Sequence, residues 1–159
     1  MKTRIKWIAG ASFVGESGSG HAVVIDGAPE HGGRNLGMRP METFLTGAAA
    51  CTAFDVVSIL KKGRHAVTDV VVTVEGERAL EAPRVFTALH YVYTVAGHAL
   101  DPKQVERAVK LSKEKYCSAT IMLAKAAEIT FELAVVEGDD AGATSAPVAA
   151  EAPRTSPAP

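Results

Sequence analysis

Two cysteines, one tryptophan and an almost neutral charge in 159 residues leave several function classes without support. Cys51 and Cys117 lie far apart, and there is no Cys-x-x-Cys. The histidines, His21, His31, His65, His90 and His98, are scattered, whereas a structural zinc site wants four clustered ligands. Seventeen basic against eighteen acidic side chains give a formal net charge of −1, which draws the chain neither to nucleic acid nor to anionic lipid. Long uninterrupted apolar runs are missing too. The longest, Phe44 to Leu60, is broken by Thr46, Gly47, Thr52, Asp55 and Ser58, so no membrane span is expected. The stretch Met1 to Trp7 has no signal-like apolar core. The expected location is the cytoplasm, where two cysteines are not a permanent staple.

What is present reads as one domain with its own core, at 47% hydrophobic and 22% charged residues. From Gly138 to Pro159 the chain turns to Ala, Pro, Ser, Thr and Gly without hydrophobic period. Such a segment cannot bury enough apolar surface to offset its chain entropy. We therefore expect a domain over 1–137 and a flexible tail over 138–159.

Ile5, Trp7, Ala11 and Phe13 alternate as in one strand, Gly15 to Gly20 reads as a turn, and His21 to Ile25 as a second strand. Gly27 to Arg39 is a glycine-rich loop. Pro40 opens a helix, with Glu42 in its first turn and Lys61-Lys62-Gly63 at its end. That helix is apolar on nearly every face, which predicts a buried one. Two strands, Asp69 to Arg78 and Val85 to Val95, read as a hairpin. Asp101-Pro102 starts another helix, a short one follows over Cys117 to Ala127, and Glu128 to Val136 is a closing strand. The order ββ, α, ββ, αα, β predicts an α+β domain on antiparallel sheet.

Each cysteine falls on or beside a predicted helix. Both suit a packing role, because free cysteine is among the most buried residue types. Both also suit chemistry. Lys110, Lys113 and Lys115 precede Cys117, and a helix starting there would favour its thiolate. Cys51 sits mid-helix among apolar residues and needs a cationic partner to ionise, with Arg39 and Arg34 in the preceding loop as candidates. At about 100° per residue, Asp55 follows Cys51 on the same face. Asp55 either holds an arginine against the sulfur or ties down a neighbouring backbone or basic group.

The segments Gly33 to Glu42, Gly47-Ala-Ala-Ala-Cys51, Asp55 to Arg64, Glu81-Ala-Pro-Arg-Val-Phe86 and Ser112-Lys-Glu-Lys-Tyr-Cys-Ser118 resemble the OsmC/Ohr family, and within it the YhfA-like branch. The resemblance runs from about Met1 to Val136. It implies an OsmC-like α+β fold, with a long central helix buried in the middle of an intertwined homodimer. It implies thiol-dependent reduction of organic hydroperoxides, with Cys51 as the peroxidatic cysteine, Cys117 as the resolving one and an external dithiol as reductant. No metal, flavin or haem is called for. The chain departs from the peroxidase branches at two places. Met41 stands where a glutamate follows the helix-opening proline, and Ser118 stands where a proline follows the resolving cysteine. Glu42, nine residues before Cys51, lies roughly opposite it on an ideal helix, so it reads either as the displaced catalytic glutamate or as a first-turn residue paired with the helix dipole. These departures also leave a non-catalytic, hydrophobic-ligand-binding or redox-sensing module as the alternative. Exchange on protein disulfides is a third reading, which the missing Cys-x-x-Cys disfavours.

Overall fold

The computed structural model describes residues 1–142, which fall into two compact units, Met1–Cys51 and Thr52 onward. In the first, strands β1 (Thr3–Ala9), β2 (Ser12–Ser17) and β3 (Ala22–Ile25) form an antiparallel sheet in the order β1-β2-β3. One strand more is present than the alternation of Ile5 to Phe13 suggests. The reason is Gly10, whose φ of 55° reverses the chain after Ala9. The Trp7 indole N–H donates to the Gly10 carbonyl at 2.8 Å and closes this turn. Gly15 belongs to β2, so the next reversal comes later, around Gly18 to Gly20.

After β3 comes a 3₁₀ turn at Pro29–His31 and a compact loop. At Gly33 a Cβ would stand 1.8 Å from the Gly27 carbonyl oxygen, so this loop closes only on glycine. Helix α1 (Pro40–Lys62) then begins at the expected proline.

In the second unit, β4 (Ala66–Arg78) and β5 (Phe86–His98) pair antiparallel along their length, with Val72 opposite Tyr93. Helix α2 (Pro102–Leu111), a π-helical turn (Ser112–Tyr116) and helix α3 (Ser118–Leu123) lead to β6 (Glu128–Glu137). The sheet order is β4-β5-β6, and β6 runs parallel to β5, with Leu133 opposite Tyr93. An all-antiparallel sheet was expected, and this is its correction. The helices between β5 and β6 are a crossover, and a crossover of this length returns the chain in the same direction.

Large apolar and aromatic residues at every second place put Leu89, Tyr91, Tyr93 and Val95 of β5 in the core. Val105 and Val109, one turn apart, are the buried stripe of α2. Asp101 caps that helix as expected, its Oδ1 accepting from the Lys103 N–H at 2.9 Å.

The long helix departs from its expected burial. Ala48, Thr52, Val56 and Leu60 are buried at four-residue spacing, a single stripe. Phe44 is 50% exposed and Phe54 73%. One chain supplies cover for one face of an all-apolar helix, and the opposite face is left open. At 23 residues and a mean hydropathy of 1.6, α1 is also long and apolar enough to cross a membrane, contrary to the reading of its interruptions. Its buried stripe, with Thr52 hydrogen-bonded to Tyr93, makes it a working part of the folded domain.

The first residues of the expected tail are held in place. Gly138 N–H donates to Gly97 O at 3.1 Å, Thr68 Oγ1–H to Gly138 O at 2.7 Å, and Ala141 N–H to Asp69 Oδ2 at 3.0 Å. Ala141 is fully buried. The remainder of the segment, 143–159, lies outside the described residues.

Candidate functional site

In the first unit the loop before α1 is organised by Asp26, which has no solvent-accessible surface. Its Oδ1 accepts from Ser12 Oγ–H at 2.8 Å and Gly27 N–H at 2.9 Å, and its Oδ2 from Arg34 N–H at 2.9 Å and Leu36 N–H at 3.0 Å. The backbone donors of Leu36 and Arg34 hold its carboxyl down at about 2, outweighing the opposing effect of burial. The carboxylate thus fixes the backbone on which Arg34 stands, while the Arg34 side chain is exposed.

Arg39 and Glu42 find each other. The Arg39 guanidinium donates to Glu42 Oε1 at 3.1 Å and its backbone N–H to Oε2 at 2.9 Å. The Arg39 carbonyl accepts from Thr43 N–H at 2.9 Å, the first turn of the helix. A glutamate at the third helical position reaching back to the preceding N–H is half of a capping box. The geometry therefore gives Glu42 the helix-end role, and gives Arg39 a carboxylate partner other than Asp55.

Cys51 is a half-buried free thiol. One turn before it, Gly47 has nothing within 4 Å of where its Cβ would stand, so the helix surface beside the sulfur is open.

In the second unit a hydroxyl chain runs through the core. Ser112 Oγ–H donates to Asp55 Oδ2 at 3.2 Å. Thr52 Oγ1 lies 2.9 Å from Ser112 Oγ and 2.8 Å from Tyr93 Oη. Thr52, Tyr93 and Ser112 are buried and Asp55 half-buried. Burial pushes the Tyr93 phenol up to about 12, so it keeps its proton throughout the neutral range.

Cys117 is a fully buried thiol at the N-cap of α3. Its Sγ accepts from Thr120 N–H at 3.4 Å and from Thr120 Oγ1–H at 3.1 Å. Both donors would stabilise a thiolate. Its own N–H donates to Ser112 O at 2.8 Å, the bond that closes the π turn. On the same turn, Lys113 Nζ donates to Ile129 O at 3.1 Å and stands 4.8 Å from the centre of the Phe131 ring. The cationic run before Cys117 is therefore partly spent on β6.

The structure joins Arg39 with Glu42, and Asp55 with Ser112. Sequence reasoning missed Asp26, Thr52, Tyr93, Ser112 and Thr120. Thr52, a hydroxyl on the buried stripe Thr52, Val56, Leu60, was the readable signal for the chain: a buried hydroxyl demands a partner. Among the described residues no group of three or more His, Cys, Asp or Glu is placed to hold a metal ion.

Comparison with known proteins places this architecture. The family model for OsmC-like proteins matches residues 32–132, a span holding every candidate residue except Asp26. Protein YhfA of Escherichia coli K12 is 47% identical over 139 residues, covering 86% of this chain and 98% of that protein. The crystal structure of an OsmC-like protein from Mycoplasma pneumoniae superposes with a TM-score of 0.73 at 16% identity, over 85% of this chain and 96% of that one. An organic hydroperoxide resistance protein OsmC from Legionella pneumophila does so with a TM-score of 0.61 at 19% identity, over 87% and 98%. The chain belongs to the OsmC family.

Proposed function

We propose that the chain is a thiol-dependent peroxidase acting on organic hydroperoxides. The observation that carries this reading is the contrast between the two cysteines. Cys51 is half-buried on an apolar helix beside the open place left by Gly47. Cys117 is buried with two donors on its sulfur. The membership of organic hydroperoxide resistance proteins in the same family supports it.

In the proposed cycle the Cys51 thiolate attacks the outer peroxide oxygen. The O–O bond breaks, the alkoxide takes a proton and leaves as alcohol, and the sulfur is oxidised to a sulfenic acid. The Cys117 thiolate then attacks that sulfur. The S–S bond forms, the S–O bond breaks, and hydroxide leaves as water after gaining a proton. An external dithiol supplies two electrons and reopens the disulfide by exchange. A transient disulfide of this kind suits a cytoplasmic protein.

The homodimer belongs to this reading. Exposed Phe44 and Trp7 in the first unit, where all seven residues of β1 are exposed, and exposed Phe54 in the second are apolar side chains that a second copy would cover. Light scattering on the purified protein checks it, with a dimer mass expected.

The activity test mixes reduced protein with cumene hydroperoxide and a dithiol. Wild type consumes peroxide over many turnovers, Cys51→Ser does not, and Cys117→Ser accumulates a sulfenate that dimedone traps. Wild type without turnover, both thiols staying free, overturns the reading.

The full burial of Cys117 favours one other reading, a non-catalytic module that binds an apolar molecule. Native mass spectrometry that finds an apolar ligand co-purified with the protein, together with no peroxide turnover, would select it.

A further inference from the structure

The four groups of the buried chain have one consistent arrangement of protons. Ser112 Oγ–H donates to Asp55 Oδ2, which commits its one hydrogen there. Thr52 must then donate to Ser112, and Tyr93 to Thr52. Three hydroxyls in series all point toward one carboxylate, and each bond polarises the next. The chain ties α1, through Thr52 and Asp55, to β5, through Tyr93.

One of its two inner members, Ser112, is the first residue of the π turn. Ser112 is held at both ends, its hydroxyl in the chain and its carbonyl on the Cys117 N–H at 2.8 Å. A π turn is a rare winding, frequent at functional sites. This one delivers Cys117 out of the helical path, as the extended residue that caps α3. Lys113, anchored on Ile129 O, holds the next residue along.

We propose that Ser112 is the positioning residue for Cys117: the Tyr93–Thr52–Ser112–Asp55 chain holds the π turn closed and thereby keeps the second thiol buried until it is needed. The proposal rests on the two-thiol reading above for its purpose, and on the hydrogen-bond geometry alone for its mechanism. Opening the turn breaks the Cys117–Ser112 backbone bond and uncovers the sulfur. The exposure rate of Cys117 is thus governed by a carboxylate and three hydroxyls, none of which needs to touch the sulfur.

The test separates this inference from the peroxidase reading, because it needs no peroxide. In the full-length Cys51→Ser protein Cys117 is the sole thiol, and its labelling by iodoacetamide under native conditions reports opening of the turn. Ser112→Ala is expected to speed labelling about tenfold to a hundredfold, the effect of losing a hydrogen bond to a carboxylate, and Asp55→Asn, whose amide oxygen is a weaker neutral acceptor, about threefold to tenfold. Ser112→Thr, which keeps the hydroxyl, should stay near the parent rate. Hydrogen exchange supplies the readout that general destabilisation would not give. Protection of the Cys117 amide should fall while that of β5 amides, such as Val95, is retained. Where Ser112→Ala fails to fold, Asp55→Asn carries the test. Labelling within twofold of the parent in both variants overturns the proposal, and so does an equal loss of protection at Cys117 and across β5. Absence of peroxide turnover in wild type, with both thiols staying unoxidised, counts against the peroxidase alone and leaves these labelling results standing.

Discussion

The two units solve the same problem in different ways. The unit beginning at Thr52 has a conventional core, in which Leu89, Tyr91, Tyr93 and Val95 alternate along β5 and are almost without exposure. The unit ending at Cys51 has almost no such core. Every residue of β1 is exposed, and Trp7 is 64% so. What organises it is polar: Asp26, shielded from water, gathers four donors from Ser12, Gly27, Arg34 and Leu36. The comparison teaches where each unit is vulnerable. One is broken by removing carbon from its interior, the other by removing a single carboxylate.

The largest expected effect tests the core side. Leu89→Ala should cost about 2–5 kcal/mol, as truncations of fully buried leucines do, read from chemical denaturation. Trp7→Ala should cost far less in the isolated chain. Equal losses at the two positions in the monomer, at dilutions where no second copy covers β1, would break the comparison.

Next in size is Asp26→Asn, which alters four hydrogen bonds at once. Its sign follows from the carboxyl being held at about 2 against an ordinary 3.8. A group with a lowered folded value adds stability above its unfolded value and loses it as pH falls toward the folded one. The stability difference between wild type and variant should therefore be full at neutral pH and shrink between about pH 4 and 2, as thermal unfolding across that range would show. A difference independent of pH would remove the charge from the explanation.

Tyr93→Phe leaves the core volume in place and deletes one end of the hydroxyl chain. A loss of about 1 kcal/mol is expected, the ordinary value of one such bond. Urea denaturation measures it, and no loss would demote the chain to incidental packing.

The smallest effect belongs to His98, exposed and bonded to Glu137 at 3.3 Å and to Asp139 at 3.0 Å. These two carboxylates, Glu137 foremost, raise its affinity for a proton above the ordinary 6.5. Its contribution is complete below about 6.5 and is lost as pH rises through the raised value. His98→Gln should accordingly match wild type at pH 9 and be slightly less stable at pH 5.5, by the shift in unfolding midpoint.

Most of the secondary structure was legible because it is written in local signals. Pro40 and Lys61-Lys62-Gly63 mark both ends of α1, Asp101-Pro102 marks the start of α2, and alternating valines mark β4. The turn at Gly10 was missed because a single positive-φ glycine interrupts an otherwise unbroken alternation. The parallel direction of β6 was missed because a strand's own sequence does not state its partner. At the candidate site, the pairing of Glu42 with Arg39 was half readable from the helix start, whereas Asp55 turned to a serine more than fifty positions away. Spacing along one helix identifies what shares a face, and another element decides what that face meets.

The parallel pairing of β6 has a consequence for how the molecule is made. β5 is the middle strand, yet one of its flanks stays bare until residues through Glu137 have been synthesised. The π turn that carries Cys117 lies inside the intervening loop, whose closure costs entropy before any strand contact repays it. On a ribosome the π turn therefore emerges before the strand whose Ile129 carbonyl anchors its Lys113, and that anchor forms only when the final strand docks.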